Sequence, residues 1–179
     1  MTGLTGRPGI DAYLDLLDEA FRGRGIEASN ESQALLTNVA TVPADAWRAL
    51  PSGAARSIES IALHVAACKV MYDDYAFGSA SLHFATPEVE PFAEGEASMP
   101  DVVAWIEQAH DRLVGHVAEL ADDVELDRMR LTNWGEERPT RWIIGAMITH
   151  DAYHAGEINH LRSLMGGDDR WRFQQLGFA

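Results

Sequence analysis

The chain has 179 residues, 46% of them apolar and 23% charged, which suits one soluble domain with a sizeable core. Its formal net charge is −14, and such a surface repels nucleic-acid phosphates and anionic membranes. No apolar run approaches the length of a membrane span, no signal-like leader opens the chain, and one cysteine, Cys68, excludes an intramolecular disulfide framework, so the expected location is cytoplasmic.

Residues 1–9 hold three glycines and a proline and read as a loose leader. Ile10 to Phe21 carries Ile10, Tyr13, Leu14, Leu17 and Phe21 at helical spacing, with Gly23 and Gly25 as stops. Ser29 or Asn30 is a cap for a second, short helix whose apolar side is Leu35, Leu36 and Val39. Pro43, Pro51 and Gly53 punctuate a linker, and Trp47 within it is expected on the core.

Ser57 to Phe77 reads as a strong helix with Ser57 as N-cap and Gly78 as stop; its inward stripe is Ile61, His64, Cys68, Met71, Tyr72 and Tyr75. Residues 79–98 show no periodicity and form a long crossover, a connection that lets consecutive helices run parallel. Ser98-Met-Pro-Asp101 opens a third long helix with the stripe Val102, Val103, Ile106, Ala109, Leu113, Val117 and Leu120. A small β-hairpin is expected around Arg128–Pro139. Thr140, as N-cap, then begins a long helix that runs to Met165, with Gly166 as its left-handed stop. Beyond Gly167 the tail holds Trp171, Phe173 and Phe178 and is expected to cap the bundle or make a dimer contact. The expected architecture is all-α: a single four-helix-bundle domain over 1–179, with a core at about 10–167 and an aromatic tail at 168–179.

On the last helix, at about 100° per residue, Ile143, Met147, His150, His154, Glu157 and Leu161 lie within roughly 60° of one line. Two imidazoles and a carboxylate on an apolar stripe need partners, because unpaired buried polar groups are costly. Histidines at i and i+4 suit one divalent ion, and His64 on a facing helix supplies a third ligand, with an open position left over. The bland reading is three core histidines bonded to backbone or carboxylates. Glu157 is a candidate catalytic group, with roles as fourth ligand, partner to a ligating imidazole, or general base all open; its bland reading is an ion pair with an arginine. Cys68, one turn after His64, is a ligand or, more ordinarily, a small hydrophobe. His83, His110, His116 and His160 read as structural or solvated. His150-Asp-x-x-His154 departs from the zinc-protease helix because aspartate replaces the glutamate base and no third ligand follows at the required spacing. Imidazole ligands suit zinc, nickel, iron and copper alike.

Arg56-Ser-Ile-Glu-Ser-Ile-Ala-Leu-His64-Val-Ala-Ala, then Tyr72-Asp-Asp-Tyr-Ala-Phe-Gly78, resembles the second helix of the DinB/YfiT-like superfamily. Trp142-Ile-Ile-Gly-Ala-Met-Ile-Thr-His150-Asp-Ala-Tyr-His154-Ala-Gly-Glu157-Ile resembles its last helix, and the resemblance spans about Ile10 to Gly167. It implies a four-helix bundle of up-down-down-up topology, a divalent metal (zinc, nickel or iron) on His64, His150 and His154, and a homodimer. Some relatives are thiol S-transferases that use bacillithiol or mycothiol, or a thiol-dependent isomerase, which implies a low-molecular-weight thiol as cosubstrate and a small-molecule substrate. The expectation for function is a metal-dependent transferase or hydrolase, with Tyr72 and Tyr153 as substrate contacts; the alternative is a non-catalytic metal- or ligand-binding bundle. Apolar residues beyond the inward stripe of the last helix, Trp142, Ile144, Ile148 and Tyr153, point to a homodimer surface.

Overall fold

A computed structural model describes residues 6–23 and 34–166. The elements are α1 (Pro8–Arg22), α2 (Leu35–Ala40), α3 (Ile58–Phe77), α4 (Met99–Ala118), a 3-10 turn (Asp123–Asp127), β1 (Met129–Leu131), β2 (Glu137–Pro139) and α5 (Thr140–Gly166). The described residues are mostly helical, as expected, with four long helices and one short one. No described helix is long and apolar enough to cross a membrane.

Local chemistry sets the helix ends. Gly23 takes a left-handed conformation, φ 71°, and its N–H closes onto the Asp18 and Glu19 carbonyls, ending α1. Ser57 and Ser98 cap α3 and α4, each hydroxyl accepting from the backbone N–H three residues on, Ser60 and Asp101. The crossover over 79–98 forms no regular element, and the hairpin pairs Met129 with Pro139.

Three expectations need correction. Residues 7–9 are no leader: Pro8 and Gly9 already belong to α1, and Asp123 caps it from across the fold by accepting from the Gly9 and Ile10 N–H groups at 2.9 and 3.0 Å. Thr140 is the first helical residue rather than an N-cap, because β2 runs directly into α5; its N–H and hydroxyl both donate to the Arg128 carbonyl, at 2.9 and 3.0 Å. Gly166 is itself the last described residue of α5 and does not take the left-handed conformation expected of a stop. The Ser29/Asn30 cap, Gly25 and the aromatic tail lie outside the described residues.

The core has two large apolar clusters and a small third one of Ala67, Val70, Met71, Val89 and Ala109. One gathers Phe21, Leu35, Trp47, Ile58, Ile61, Val65, Ile106 and Ile158. The other gathers Ile10, Leu17, Leu113, Val117, Leu126, Ile144 and Met147. Trp47 packs on the core as expected, at 4% exposure. Ile144, expected at the surface, is fully buried because α1 covers that flank of α5; Trp142 and Tyr153 remain 42% and 65% exposed. Each fully buried isoleucine of this kind contributes about 1.5–3 kcal/mol.

α3 and α5 are antiparallel neighbours. Arg56, just before α3, meets Glu157 late in α5, whereas Tyr72 near the α3 C-terminus reaches, through Trp134, the early Trp142. α3 is buried on nearly every side, including Glu59, Lys69 and Asp73.

Candidate metal centre

His64 on α3 faces His150 and His154 on α5. One ligand nitrogen from each lies within 4.8 Å of the others. His150 Nε2 is 3.3 Å from His64 Nε2. The ring centroids are 4.4 Å apart for His150 and His154, and 5.2 Å for His64 against either.

These residues fit a divalent ion. Two nitrogens held at about 2.0–2.1 Å in a tetrahedral sphere stand roughly 3.3–3.4 Å apart, so the His64–His150 spacing already equals one edge. The widest pair can be no further apart than about 4.2 Å on one ion, so that side closes by up to several tenths of an ångström on loading. Burial and the neighbouring imidazoles push the His150 ring down to about 3 and lower that of His64 as well. Both are therefore neutral near pH 7, the form that ligates metals.

The orientation of His154 is fixed from behind. Its Nδ1 bonds Glu157 Oε2 at 2.8 Å, leaving Nε2 for an ion. Arg56 Nη2 donates to Glu157 Oε1 at 2.9 Å. Glu157 thus takes two of the places open in the sequence: it partners the His154 imidazole and it is ion-paired with an arginine. His150 lacks such support: its Nδ1 is buried and no described group bonds it.

The site sits at the rim of the bundle. The buried arc of α5 runs through Thr140, Ile143, Ile144, Met147, Asp151, His154, Ala155, Ile158 and Arg162. By helical arithmetic its centre lies about 80° from His150, on the Asp151 side. The sequence reading placed His150 and Glu157 at the centre of that stripe; both are half-buried instead, at its edge. Beside His64 opens a cleft of about 520 Å³ lined by Leu63, Ala67, Phe84, Phe92 and Trp105 among others. A hollow of about 340 Å³ lies beyond Arg56 and Glu157. A third hollow, about 610 Å³ between Pro43 and Met165, contains none of the three histidines.

Cys68 lies outside the three-ligand group, with Sγ 3.7 Å from His64 Nε2. Burial pushes its thiol up to about 11, so it is protonated at neutral pH. His116 Nδ1 pairs with Asp73 Oδ1 at 2.7 Å, His83 contacts Thr86 in the crossover, and His160 is exposed. His110 is completely buried and stacks on Phe21 at 3.8 Å. Tyr72 is half-buried against Trp134, and Tyr153 edges onto His154 at 4.9 Å.

Sequence reasoning gave no role to Lys69, Asp151 and Arg56. Lys69 is the only charge between Glu59 and Asp73 on a helix apolar all round, which was the available signal for a buried, paired lysine.

No curated protein matches the chain. The model of the DinB superfamily matches residues 28–158, more than half of the sequence, and the match takes in all three histidines. The chain belongs to the DinB superfamily.

Proposed function

We propose that this protein binds one divalent metal ion through His64, His150 and His154 and uses it as an enzyme on a small molecule, as a thiol-dependent S-transferase or a hydrolase. The observation that carries the reading is the convergence of three imidazole nitrogens within 4.8 Å at a half-open rim. Zinc, nickel and iron all suit such a donor set. A bound divalent cation supplies Lewis acidity, which makes water or a thiol a nucleophile near neutral pH.

The chain's own residues do the rest. Glu157 holds the His154 ring with Nε2 forward, and Arg56 anchors Glu157. The carboxylate is thereby engaged on both oxygens, so its role is positioning. Phe84, Phe92 and Trp105 give the cleft beside His64 an apolar wall that can hold the carbon skeleton of a substrate. Tyr153, exposed next to His154, stands where it can contact a substrate.

A homodimer is part of this reading, supported by the exposed rings of Trp134, Trp142 and Tyr153 on one side of the bundle.

The second reading is a metal- or ligand-binding bundle without catalysis. It is favoured by the state of the two groups beside the histidines: Glu157 is engaged on both oxygens and Cys68 is a protonated thiol. One experiment separates them. Metal-loaded and metal-stripped protein are incubated with a low-molecular-weight thiol and a panel of electrophiles and esters. Turnover that needs the metal and vanishes in His150→Ala supports the enzyme; stoichiometric metal without turnover supports the binding protein.

A further inference from the structure

Between the two large apolar clusters of the core lies a polar node that every long helix touches. Lys69 of α3 donates to Asp151 Oδ2 of α5 at 2.6 Å, and both side chains have 0% exposure. Lys69 Nζ also lies 3.5 Å from His110 Nδ1 of α4 and 5.0 Å from the ring centre of Phe21 of α1. The node interrupts the apolar stripes of α4 and α5 at one level: His110 falls between Ile106 and Leu113, and Asp151 between Met147 and Ala155. Asp151 Oδ1 and His110 Nε2 are buried with no partner among the described residues.

Such a pair is an expensive way to fill a core. Desolvating two charges commonly offsets their attraction, and apolar side chains of similar size are often as stabilising. What an ion pair adds is discrimination: it fixes the rotation and register of two helices, because a slide of one turn, about 5.4 Å, breaks it.

The metal ligands ride on the same two helices. Asp151 is the neighbour of His150, and Lys69 follows His64 by five residues, about 7.5 Å along α3. His154 is held by Glu157, whereas His150 has nothing bonded to Nδ1, so the position of its ring follows from the α5 backbone. We infer that Lys69 and Asp151 are positioning residues for the metal centre: their buried ion pair sets the rotation and register of α5 against α3 and so places His150 Nε2 opposite His64 Nε2. This rests on the metal reading above.

The test separates positioning from stability. Metal-free wild type, Lys69→Met/Asp151→Leu and Asp151→Asn are compared by urea unfolding, by zinc affinity against a chromophoric chelator, and by the visible spectrum of the cobalt(II) form. The inference expects the double variant to keep a urea midpoint at or above that of wild type. It also expects zinc to bind at least tenfold more weakly, with a weakened, shifted cobalt spectrum. Asp151→Asn keeps an acceptor for Lys69 and should fall between the two. Wild-type zinc affinity and an unchanged cobalt spectrum in the double variant overturn the inference and leave the metal reading intact. If the double variant does not fold, Lys69→Met/Asp151→Asn, which also removes the ion pair, takes its place, and unchanged zinc affinity in it overturns the inference equally. Failure of wild type to bind either metal overturns the metal reading, and this inference with it.

Discussion

His150 Nε2 lies 3.3 Å from His64 Nε2 across the seam between α5 and α3. Two neutral imidazoles can share one proton at that distance. The third ring, His154, breaks the symmetry: a nitrogen of each ring lies within 4.8 Å of the others, and one proton cannot satisfy three acceptors. A single cation can.

On the proposed reading, Glu157 governs the affinity of this centre without touching the ion. Glu157→Gln keeps an oxygen near His154 Nδ1 but loses the charge that draws Arg56. Loss of such a partner typically weakens metal binding about 10–100-fold. Zinc titration of Glu157→Gln and Glu157→Ala checks this. The glutamine variant should bind about tenfold more weakly and the alanine variant more weakly still. Unchanged affinity in Glu157→Ala would mean that Glu157 does not orient the ligand.

The metal-free protein should lose stability as the pH falls. Burial, with Lys69 and Arg22 nearby, pushes His110 down to about 2 in the folded state, against about 6.5 when unfolded. Between those values the unfolded chain binds a proton that the folded chain does not, so stability is fully present above about pH 6.5 and declines below it. The slope is about 1.4 kcal/mol per pH unit from this residue. His150 and His64 are lowered too and act in the same direction. Asp151, whose carboxyl burial pushes up, acts in the opposite one. Urea unfolding in chelator between pH 6.5 and 4 should show this decline, and His110→Gln should flatten it by about one proton. Equal slopes in the variant and wild type would place the titration elsewhere.

Cys68 should react slowly. With the thiol pushed up to about 11, roughly one molecule in a thousand carries the thiolate at pH 8. Alkylation of the native metal-free protein should run orders of magnitude slower than that of the urea-unfolded chain. Cys68→Ala should keep metal affinity within about threefold, because the sulfur stands outside the three-nitrogen group. A large loss would make Cys68 a ligand.

Much of this was legible in the sequence because it depends on local spacing. Ser57 and Ser98 are caps by side-chain chemistry, and the separation of His150 and His154 alone puts both rings on one side of a helix. What was not legible depends on which helix covers which flank. Helical spacing alone centres the inward face of α5 on His150; α1 covers the Ile144 side, turns that centre towards Asp151, and leaves His150 at the rim. The Lys69–Asp151 pair joins residues 82 apart, and no local pattern signals their meeting. The start of α1 shows the same limit, since its cap, Asp123, comes from the far end of the chain.

The exposed aromatic rings bear on assembly. Trp134 and Trp142 meet edge to face at 5.7 Å, with each about two-fifths exposed. A homodimer over this face predicts a light-scattering mass near twice the 19.7 kDa chain, and Trp142→Glu should shift it to monomer. A wild-type mass of one chain at micromolar concentration would rule the dimer out.

The central claim is tested most directly by elemental analysis of protein purified without added metal and then dialysed against one equivalent of zinc, alongside His64→Ala, His150→Ala and His154→Ala. The account predicts one divalent ion per wild-type chain and sharply reduced occupancy in each variant, with helix content retained. Stoichiometric zinc in any of the three variants, or none in wild type, would contradict it.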